Sequence, residues 1–390
     1  MTDDDAGPGT PRRGVLVVHP GAELYGADRA LLQTVEALLA VYDVTVAVPV
    51  AGPLVAELER AGARVEVSRM PVLRRAAMRP AGAVRLVSDA LLGVIPAVRL
   101  LRSRASGGVV VNTVTLPSWP LLARLARRRT VVHVHEAEAS AGALARWVMS
   151  LGPRGAHHVI VNSEFTRAVL QRTLPRRAAA ATLVYNSVPG PSRVVPPRSS
   201  IEEPVRLVYV GRLSPRKGVR VVLDVVDELR RRGVRAQLAL VGGVFPGYEW
   251  FETELLDSVR ERGLAEHVRF VGFVDDVWPH LADADVVLVP SIAEESFGNT
   301  VVEAVLAARP VLVSDSSGLR EAAAGHENAR LLPVGDVDLW ATAVTDVVGR
   351  WPAVRQVAVG DAGRASVRYG LDRYREAVVD VVRGLERPGT

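Results

Sequence analysis

Short apolar runs alternate along the chain with longer segments whose apolar residues recur at helical spacing. In the first half, the short runs predict strands at residues 14–19, 44–49, 64–68, 108–111, 130–134 and 158–161. The intervening segments include predicted helices at residues 28–39 and 53–61. Strands that alternate with helices form βαβ units, so this pattern predicts a mainly parallel sheet covered by helices on both faces.

A proline-rich segment interrupts the alternation. Residues 189–204, PGPSRVVPPRSSIEEP, contain five prolines among few apolar residues, which is typical of a linker. Beyond it, strands are predicted at 206–210, 236–241, 268–271, 286–289 and 310–314, and helices at 218–231, 250–262 and 300–308. Further helices are predicted from residue 339 to about residue 387.

The pattern therefore predicts an α/β protein with two Rossmann-like, doubly wound domains. The predicted parts are an N-terminal domain at 13–190, a linker at 191–204, a C-terminal domain at 205–350 and C-terminal helices at 351–387. We expect the C-terminal helices to pack back toward the N-terminal domain. The carboxyl ends of the strands in the two domains are expected to face each other across a cleft, and ligands of open α/β sheets bind at those ends.

Composition supports a folded, soluble protein of more than one domain. The chain has 390 residues, 48% hydrophobic and 23% charged, and no cysteine, which excludes a disulfide scaffold, a thiolate metal site and a cysteine nucleophile. The first residues, MTDDDAGPGTPRR, lack the apolar core of a secretory signal. The apolar stretch 84–101 is interrupted by Arg85, Asp89, Pro96 and Arg99, so we expect it not to span a bilayer and the protein to be cytoplasmic.

The net charge of +5 is unevenly distributed, because arginines exceed carboxylates in the N-terminal half and the reverse holds in the C-terminal half. Clusters of arginine in the N-terminal half predict docking on an anionic membrane surface, peripheral to the inner face; they are Arg74, Arg75, Arg79, Arg99, Arg102, Arg104, Arg127, Arg128 and Arg129. The alternatives are a solubilising arginine-rich face and the codon bias of a GC-rich genome. Nucleic acid is not expected as a partner, because aromatic residues make up only 5% and do not interleave with these clusters.

A polar loop with two carboxylates follows the predicted strand 286–289. In PSIAEESFGNTVVEA, Glu295 and Glu303 are separated by seven residues, and Gly298 precedes a predicted helix. Glycine lets the backbone approach a ligand closely, and a helix amino terminus offers N–H groups to an anion. Glu295 could accept hydrogen bonds from sugar hydroxyls, and Glu303 could hold a ribose diol. The alternative is ordinary helix capping, with Glu303 as a solvated helix residue.

Two cations follow the first predicted strand of the second domain. In YVGRLSPRKGV, Arg212 and Lys217 come just past the strand end. A guanidinium fork and an ammonium point charge suit the pyrophosphate of a nucleotide sugar, both in binding and in stabilising the departing diphosphate. The alternative is two surface cations on a turn.

In the N-terminal domain, two strand ends carry polar residues. The strand in TVVHVHEAE ends with His133 and His135, and Glu136 follows. With no third ligand nearby, a zinc site is not expected; we predict that one histidine lines the cleft and that the other is a hydrogen-bonded structural residue. The loop HPGAELYGADRALL contains Gly26 where doubly wound folds bind phosphates, but neither GxGxxG nor GxxxxGK[ST] is present.

These motifs together resemble the GT-B retaining glycosyltransferases of family 4, glycosyl transferases group 1. The resemblance extends from residue 13 to about residue 350. It rests on VIVNSEFT at 159–166, VYNSV at 184–188, GRLSPRKGV at 211–219, VGG at 241–243, VRFVGFVDDV at 268–277 and VVLVPSIAEESFGNTVVEA at 286–304. Three features depart from the family pattern: Tyr25 stands where the glycine loop usually has a first glycine, Asp28 stands where glutamate is common, and Ser296 replaces the usual proline after Glu295.

The resemblance implies a nucleotide-sugar site in the C-terminal domain and an acceptor side in the N-terminal domain. The implied donor-binding residues are Arg212, Lys217, Gly298, Asn299, Thr300 and Glu303. It implies Glu295 and His135 as catalytic residues near the transferred sugar, and Gly26 as the glycine of the phosphate and acceptor loop.

The implied function is transfer of a hexose, with retention, from a UDP- or GDP-type sugar to an acceptor hydroxyl. The acceptor is expected to be a glycan, a lipid-linked molecule or a small molecule, in exopolysaccharide, cell-envelope glycan or glycolipid biosynthesis. No cofactor and no obligatory metal are expected, because protein cations supply the counter-charge. A sugar-nucleotide epimerase on the same fold and a non-catalytic, membrane-docked scaffold remain alternatives.

Overall fold

The computed structural model describes residues 12–386, except Tyr25, residues 74–79, Glu138, Ala141 and Pro246. The chain divides into two compact units. The first, called here the N-terminal domain, comprises Met1–Ser187 together with Leu371–Thr390. The second, the C-terminal domain, is Val188–Gly370.

The N-terminal domain is built on a parallel seven-stranded sheet. Its strands are β1 (Gly14–Val18), β2 (Asp43–Val48), β3 (Arg64–Val67), β4 (Gly108–Val111), β5 (Thr130–Val134), β6 (His158–Val161) and β7 (Thr182–Leu183). They lie in the order β3-β2-β1-β4-β5-β6-β7. Valine-rich strands such as β1 and β4 are buried along almost their whole length, as expected for a parallel sheet covered on both faces.

The helices of this domain are α1 (Gly26–Leu39), α2 (Pro53–Arg60), α3 (Pro80–Arg104), α4 (Ser118–Leu125), α5 (Ala143–Gly155), α6 (Glu164–Gln171) and α7 (Pro175–Ala179). The last helix of the chain, α15 (Leu371–Gly384), also belongs to it and packs on α1. A buried hydrogen bond of 2.6 Å joins Thr34 Oγ1 of α1 to the Tyr374 hydroxyl of α15.

The C-terminal domain repeats the plan with six parallel strands. They are β8 (Val205–Val210), β9 (Ala236–Val241), β10 (Val268–Gly272), β11 (Val286–Val289), β12 (Val311–Ser314) and β13 (Ala329–Leu332), in the order β10-β9-β8-β11-β12-β13. The helices are α8 (Val219–Arg231), α9 (Glu249–Glu261), α10 (Trp278–Asp283), α11 (Asn299–Leu306), α12 (Ser317–Ala323), α13 (Val337–Gly349) and α14 (Trp351–Arg368). The prediction of two Rossmann-like, doubly wound domains is confirmed.

The segment predicted as a linker lies wholly in the C-terminal domain, and the segment predicted as C-terminal helices is divided between the two domains. Residues 191–204 contain no helix or strand and lie within the C-terminal domain, where the buried Arg309 guanidinium donates to the carbonyl of Val195 (3.0 Å). Trp351 Nε1 donates to the Arg198 carbonyl (3.0 Å). The predicted block 351–387 divides at Leu371, since α14 packs on α11 of the C-terminal domain whereas α15 packs on α1.

One helix presents an unusual amount of apolar surface. In α3, the side chains of Val84, Leu91 and Ile95 are 71%, 72% and 64% exposed. Among the described residues, one helical segment, Ala81–Arg104, has the length and composition that could cross a membrane. Its most apolar 18 residues have a mean hydropathy of 1.6, and 11% of them are buried. The interrupting charges therefore do not exclude a span by composition, and our expectation that the segment does not span a bilayer stays a prediction.

Candidate functional site

Each sheet has one topological switch point, where the strand order reverses. In the N-terminal domain it lies between β1 and β4, and in the C-terminal domain between β8 and β11. Ligands of doubly wound sheets bind outside the carboxyl ends of the strands at such points. The candidate residues from the sequence fall at these two places, and each is described within its own domain.

At the C-terminal domain's switch point, the structure brings Lys217 and Glu295 together. Lys217 Nζ lies 2.6 Å from Glu295 Oε1, with the two side chains 35% and 21% exposed. The hydroxyl of Ser291 donates to the same oxygen of Glu295 (2.8 Å). Lys217 is the one lysine in a chain with 48 lysine and arginine residues, so its ammonium group is chemically unique apart from the chain terminus.

The backbone holds these two side chains in place through a close approach of two loops. Gly218 has a φ of 71°, and a Cβ atom added there would lie 2.0 Å from the carbonyl oxygen of Pro290. The N–H groups of Ile292 and Ala293 both donate to the carbonyl of Arg216, at 3.0 and 3.1 Å. The turn that carries Lys217 is therefore fixed against the loop that carries Glu295.

Arg212 occupies the turn after β8. The buried Tyr209 hydroxyl donates to the Arg212 carbonyl (2.7 Å), and the Arg212 guanidinium lies 5.1 Å from the centre of the Phe245 ring. Burial raises the pKa of Tyr209 well above its ordinary value, and the Glu295 carboxylate adds to this, while Arg212 opposes it. Tyr209 thus remains a hydrogen-bond donor that shapes the turn, and the Arg212 side chain itself is exposed.

The amino end of α11 completes this edge. Gly298 precedes the helix with a φ of 140°, and a Cβ atom there would lie 2.9 Å from Leu319 Cδ2. Thr300 Oγ1 donates to the Val210 carbonyl of β8 (3.4 Å), which ties the first turn of the helix to the strand end. Glu303, half-buried, lies one turn further along the helix from Asn299. The first-turn N–H groups and the helix dipole make this end suitable for an anion.

At the N-terminal domain's switch point, four buried side chains form one hydrogen-bonded chain, called here the His135 network. Asp28 Oδ1 lies 2.9 Å from His19 Nε2. Asn112 Nδ2 lies 3.1 Å from His19 Nδ1, and Asn112 Oδ1 lies 2.8 Å from His135 Nε2. The network joins the residues that follow β1, β4 and β5 with the first turn of α1, and it spans the reversal of strand order.

His133, within β5, and His135, directly after it, have different surroundings, and those of His133 differ from the prediction. His135 is hydrogen-bonded and 8% exposed, whereas His133 is fully buried and neither of its ring nitrogens has a hydrogen-bond partner. Burial lowers the pKa of His133 to about 3. The prediction of a hydrogen-bonded structural histidine is therefore wrong for His133. Its ring is buried on strand β5, where neither nitrogen has a polar partner. The centre of the ring lies 3.8 Å from the centre of the His135 ring.

Glu136 adds a carboxylate to this edge. Its Oε1 accepts from the Thr113 hydroxyl (2.6 Å) and its Oε2 from the Val114 N–H (3.3 Å). Burial raises its pKa, while these hydrogen bonds oppose the shift. Gly26, the candidate of the glycine loop, begins α1; it is exposed, and a Cβ atom added there would meet nothing within 4 Å. Tyr25 lies outside the described residues.

Other surface features lie away from these edges. A depression of about 790 Å³ lies at the amino ends of β8, β9 and β10, the end of the strands opposite to Lys217 and Glu295.

Over the described residues, no group of three histidine, aspartate or glutamate side chains is placed to hold a metal ion.

Two of the arginines predicted to dock on a membrane, Arg128 and Arg129, have structural partners. Arg128 donates to the carbonyls of Leu101 and Arg102 at the end of α3 (both 3.1 Å), and Arg129 donates to the Leu385 carbonyl (3.4 Å). Arg99 and Arg102 remain exposed on α3. Arg74, Arg75 and Arg79 lie outside the described residues.

Comparison with known proteins identifies the C-terminal domain. Residues 204–350 match the family model "Glycosyl transferases group 1". The C-terminal domain belongs to this family. The resemblance stated from the sequence is thereby confirmed for the domain that carries Lys217, Glu295 and Glu303.

Curated relatives match less than half of the chain. The phosphatidyl-myo-inositol mannosyltransferase of Mycobacterium leprae is 35% identical over 187 residues, which is 47% of this chain and 48% of that protein. The D-inositol 3-phosphate glycosyltransferase of Jonesia denitrificans is 35% identical over 178 residues, 44% of this chain and 38% of that protein. The match thus spans about half or less of the length of these relatives.

Solved structures share the fold of nearly the whole chain. Anabaena Alr3699/HepE, crystallised with UDP and glucose, aligns with a TM-score of 0.78 at 21% identity, covering 95% of this chain and 99% of that one. Sucrose-phosphate synthase from Thermosynechococcus elongatus aligns with a TM-score of 0.74 at 19% identity, covering 96% and 99%. At these identities the likeness establishes the fold.

Sequence reasoning missed several residues at both switch points. Asn112 directly follows β4, just as His135 follows β5, so the rule that polar residues at strand ends form the site could have found it. Ser291 follows β11 by two residues and gives a similar signal, whereas the contact of Asp28 with His19 depends on how the loop after β1 folds back. In the group 1 glycosyltransferase domain, Ser317 was also missed; its hydroxyl accepts from the Glu295 N–H (2.9 Å).

Proposed function

We propose that the chain is a retaining glycosyltransferase that moves a hexose from a nucleotide-diphosphate sugar of the UDP or GDP type to an acceptor hydroxyl. The observation that carries this proposal is the Lys217–Glu295 pair, 2.6 Å apart at the switch point of a group 1 glycosyltransferase domain. An ammonium group suits a diphosphate, and a carboxylate beside it suits the hydroxyls of a sugar. The relatives named as mannosyl- and glycosyltransferases, and the HepE structures with UDP and UDP-glucose, support this proposal.

In the proposed reaction, the bond between the anomeric carbon and the diphosphate oxygen breaks, and the diphosphate leaves with the electron pair. Arg212, Lys217 and the first-turn N–H groups of α11, at Asn299 and Thr300, stabilise its growing charge. The acceptor hydroxyl attacks the anomeric carbon from the same face, and its proton passes to the leaving oxygen. Front-face attack of this kind retains the configuration of the anomeric carbon.

The remaining candidate residues take supporting roles in this proposal. Glu303 holds the ribose diol of the donor, and Gly298 lets the backbone approach the nucleotide. Glu295 accepts from hydroxyls of the transferred sugar, while its pairing with Lys217 and Ser291 sets its position. His135 contacts the sugar close to its anomeric carbon, and Gly26 leaves open space beside the phosphate and acceptor.

Donor binding and slow donor hydrolysis test this function. Calorimetry and product analysis with a panel of UDP-, GDP-, ADP- and dTDP-sugars should identify one donor that binds at about micromolar concentration and is slowly hydrolysed. Glu303→Ala and Lys217→Ala should each abolish binding. Glu254→Ala, which removes an exposed carboxylate paired with Arg220 elsewhere in the same domain, should leave it unchanged.

The unique lysine offers a second readout. Reductive ¹³C-methylation will label Lys217 and the chain's amino terminus alone, so a single lysine resonance reports on this site. We expect the correct donor to shift that resonance and to slow the methylation of Lys217. If no donor of the panel does either, the transferase proposal fails and a non-catalytic, membrane-docked scaffold replaces it; conversion of the donor sugar without any acceptor would instead indicate an epimerase.

We propose that no divalent metal is obligatory, because Arg212 and Lys217 already supply positive charge at the diphosphate. Turnover should survive exhaustive EDTA treatment. Loss of turnover with EDTA and its recovery with Mg²⁺ or Mn²⁺ would overturn this part of the proposal.

We also propose that the N-terminal domain docks on an anionic membrane through α3. The exposed apolar side chains Val84, Leu91 and Ile95 recur along one side of this helix, and Arg99 and Arg102 near its end supply positive charge. Apolar residues bury in the headgroup region, and each nearby cation contributes about 1 kcal/mol at an anionic surface. A peripheral position of this kind suits a lipid-linked or envelope-glycan acceptor.

Liposome flotation with phosphatidylglycerol vesicles tests docking. Val84→Glu should reduce flotation, whereas Val367→Glu should not, because Val367 is equally exposed (74% against 71%) but lies in the C-terminal domain. Equal flotation of the two variants, or no flotation of the wild type at low salt, would contradict docking through α3.

A further inference from the structure

The His135 network is directional, because the asparagine side chain has one donor end and one acceptor end. Asn112 Nδ2 is a donor, so His19 Nδ1 must accept and carries no proton. His19 therefore carries its proton on Nε2, and this N–H group donates a hydrogen bond to Asp28 Oδ1. At the other end, Asn112 Oδ1 can only accept, so His135 must carry its proton on Nε2.

One consequence concerns the second ring nitrogen of His135. A neutral imidazole with a proton on Nε2 has an unprotonated Nδ1, which can accept a hydrogen bond but cannot donate one. Burial lowers the pKa of His135 well below its ordinary value, and the nearby His133 and His19 lower it further. The ring is thus neutral near pH 7, and the network leaves it one tautomer.

We propose that Asn112, His19 and Asp28 are positioning residues that hold His135 in the Nε2–H tautomer, so that Nδ1 accepts a hydrogen bond from a hydroxyl of the transferred sugar. This inference rests on the proposed transferase function for the identity of the ligand, but the tautomer is a property of the protein alone. His19 and Asn112 are each 1% exposed, against 8% for His135, so they act through His135; Asp28 is linked to the network by its hydrogen bond to His19.

The position of the network supports a role in a site. It connects the ends of β1 and β4, the two strands between which the order of the sheet reverses, and ends on the residue after β5. Burial of three linked polar side chains is costly unless every group is satisfied, and a satisfied network defines one arrangement. A hydrophobic residue at Asn112 would fill the same space without setting a tautomer.

Substitutions at Asn112 separate the two ends of the amide. Asn112→Leu keeps the branched arrangement of heavy atoms, in a larger side chain, and removes both the donor and the acceptor. Asn112→Asp keeps an acceptor for His135 Nε2–H but removes the donor to His19. Thr182→Val is the matched control. It removes the hydrogen-bond partner of another histidine, since Thr182 Oγ1 lies 2.8 Å from His158 Nε2, and both residues stand at the amino ends of their strands, β7 and β6, in the same sheet.

The full-length protein labelled with ¹⁵N-histidine, without any ligand, gives the direct test. With eight histidines, the ring signals can be assigned by single substitutions. Two-bond ¹H–¹⁵N spectra at pH 7 should show His135 as the Nε2–H tautomer, with a ring proton protected from exchange with water. The protected proton should persist in Asn112→Asp and in Thr182→Val and disappear in Asn112→Leu. A proton on Nδ1 of His135 in the wild type, or a protected Nε2–H in folded Asn112→Leu, would overturn the proposal.

Turnover of the donor supplies the second arm. We expect Asn112→Leu to lower kcat/KM by about tenfold, the typical worth of one hydrogen bond, with nucleotide binding by the C-terminal domain unchanged. Asn112→Asp should recover most of this loss, and Thr182→Val should show none. If the spectra behave as expected but no variant alters turnover, the network sets the tautomer of His135, and the proposed hydrogen bond from the sugar hydroxyl to Nδ1 is overturned. If no nucleotide sugar binds the wild type, the proposed function fails, whereas the spectroscopic result still decides on the network.

Discussion

Gly218 offers a sharp test of how the C-terminal domain holds Lys217. Its φ of 71° lies in the left-handed region, and a Cβ atom there would stand 2.0 Å from the backbone carbonyl oxygen of Pro290. Gly233, after α8, has a similar φ of 78°, but a Cβ atom added there meets nothing within 4 Å. The pair therefore separates the cost of the backbone conformation from the cost of the clash.

The expected magnitudes follow from these two terms. A non-glycine residue in the left-handed conformation costs about 1–2 kcal/mol, which is the whole expected effect of Gly233→Ala. Gly218→Ala carries the same term and a further cost of about 1–3 kcal/mol, because a backbone oxygen cannot rotate aside as a side chain can. The free energy of unfolding of the C-terminal domain should therefore fall by about 2–5 kcal/mol. For a domain of this size, each kcal/mol corresponds to about 2–4 °C in Tm.

The clash has a functional consequence as well. Relief of the 2.0 Å contact requires the turn at Lys217 and the loop at Pro290 to separate, which pulls Lys217 away from Glu295. Gly218→Ala should thus weaken nucleotide-sugar binding below the unfolding temperature, and Gly233→Ala should not. Urea unfolding, with hydrogen exchange of β8 and β11 as a domain-specific probe, measures the stability, and calorimetry measures the binding. Equal losses of stability in the two variants, or intact binding in Gly218→Ala, would refute this reasoning.

Three further predictions concern charged or buried groups. Lys217→Arg keeps the charge, but a longer side chain with a broad, planar guanidinium replaces the compact ammonium group beside Glu295, so calorimetry should show donor affinity at least about tenfold weaker. His133→Leu removes two unpartnered buried nitrogens and should raise the stability of the N-terminal domain by about 1 kcal/mol at pH 7, measured by urea unfolding. The pKa of His133 in the folded protein, about 3, lies below its ordinary value of 6.5, so the wild type loses stability as the pH falls below 6.5, by up to about 1.4 kcal/mol per pH unit. His133→Leu should lack this part of the pH dependence. An unchanged slope of unfolding free energy against pH would contradict the role assigned to His133. Arg309→Met should destabilise the C-terminal domain by about 2–4 kcal/mol in the same assay, since the buried guanidinium donates to several carbonyls, including that of Val195; a loss below 1 kcal/mol would count against this role.

The order of strands and helices could be predicted because it depends on local patterns. Valine-rich runs such as 286–289 favour buried strands, and apolar residues at helical spacing predicted α8 and α11 nearly to their observed ends. The shared strand order of the two sheets, and hence the two switch points, depends on pairing between distant strands and had to come from the structure.

The candidate site divides in the same way. Lys217 and Glu295 could be selected because each follows a strand that the pattern identifies, and the contact between them follows from the adjacency of β8 and β11. Asn112 and His19 could be selected as residues at strand ends, but the hydrogen bond between them could not be predicted, because they are 93 residues apart and nothing local to either selects the other. The lack of partners around His133 was likewise invisible, since a histidine in a strand has the same sequence signature whether or not its nitrogens are satisfied.

The two switch points share a topology but differ in their chemistry, and this difference indicates what each can bind. The His135 network contains no cation and orders a neutral ring, so it can orient hydroxyl groups but cannot offset the charge of a diphosphate. Lys217 and Arg212 supply positive charge on partly exposed side chains, which suits an anion that arrives with its own solvent shell. The excess of arginine in the N-terminal half therefore does not mark the phosphate site. Arg128 and Arg129 serve carbonyls of their own domain, and the exposed Arg99 lies on α3, the helix with the exposed apolar side chains. We therefore propose that the exposed positive charge of α3 serves a membrane surface, whereas Lys217, in the turn fixed by Gly218, and Arg212 meet the charge of the diphosphate.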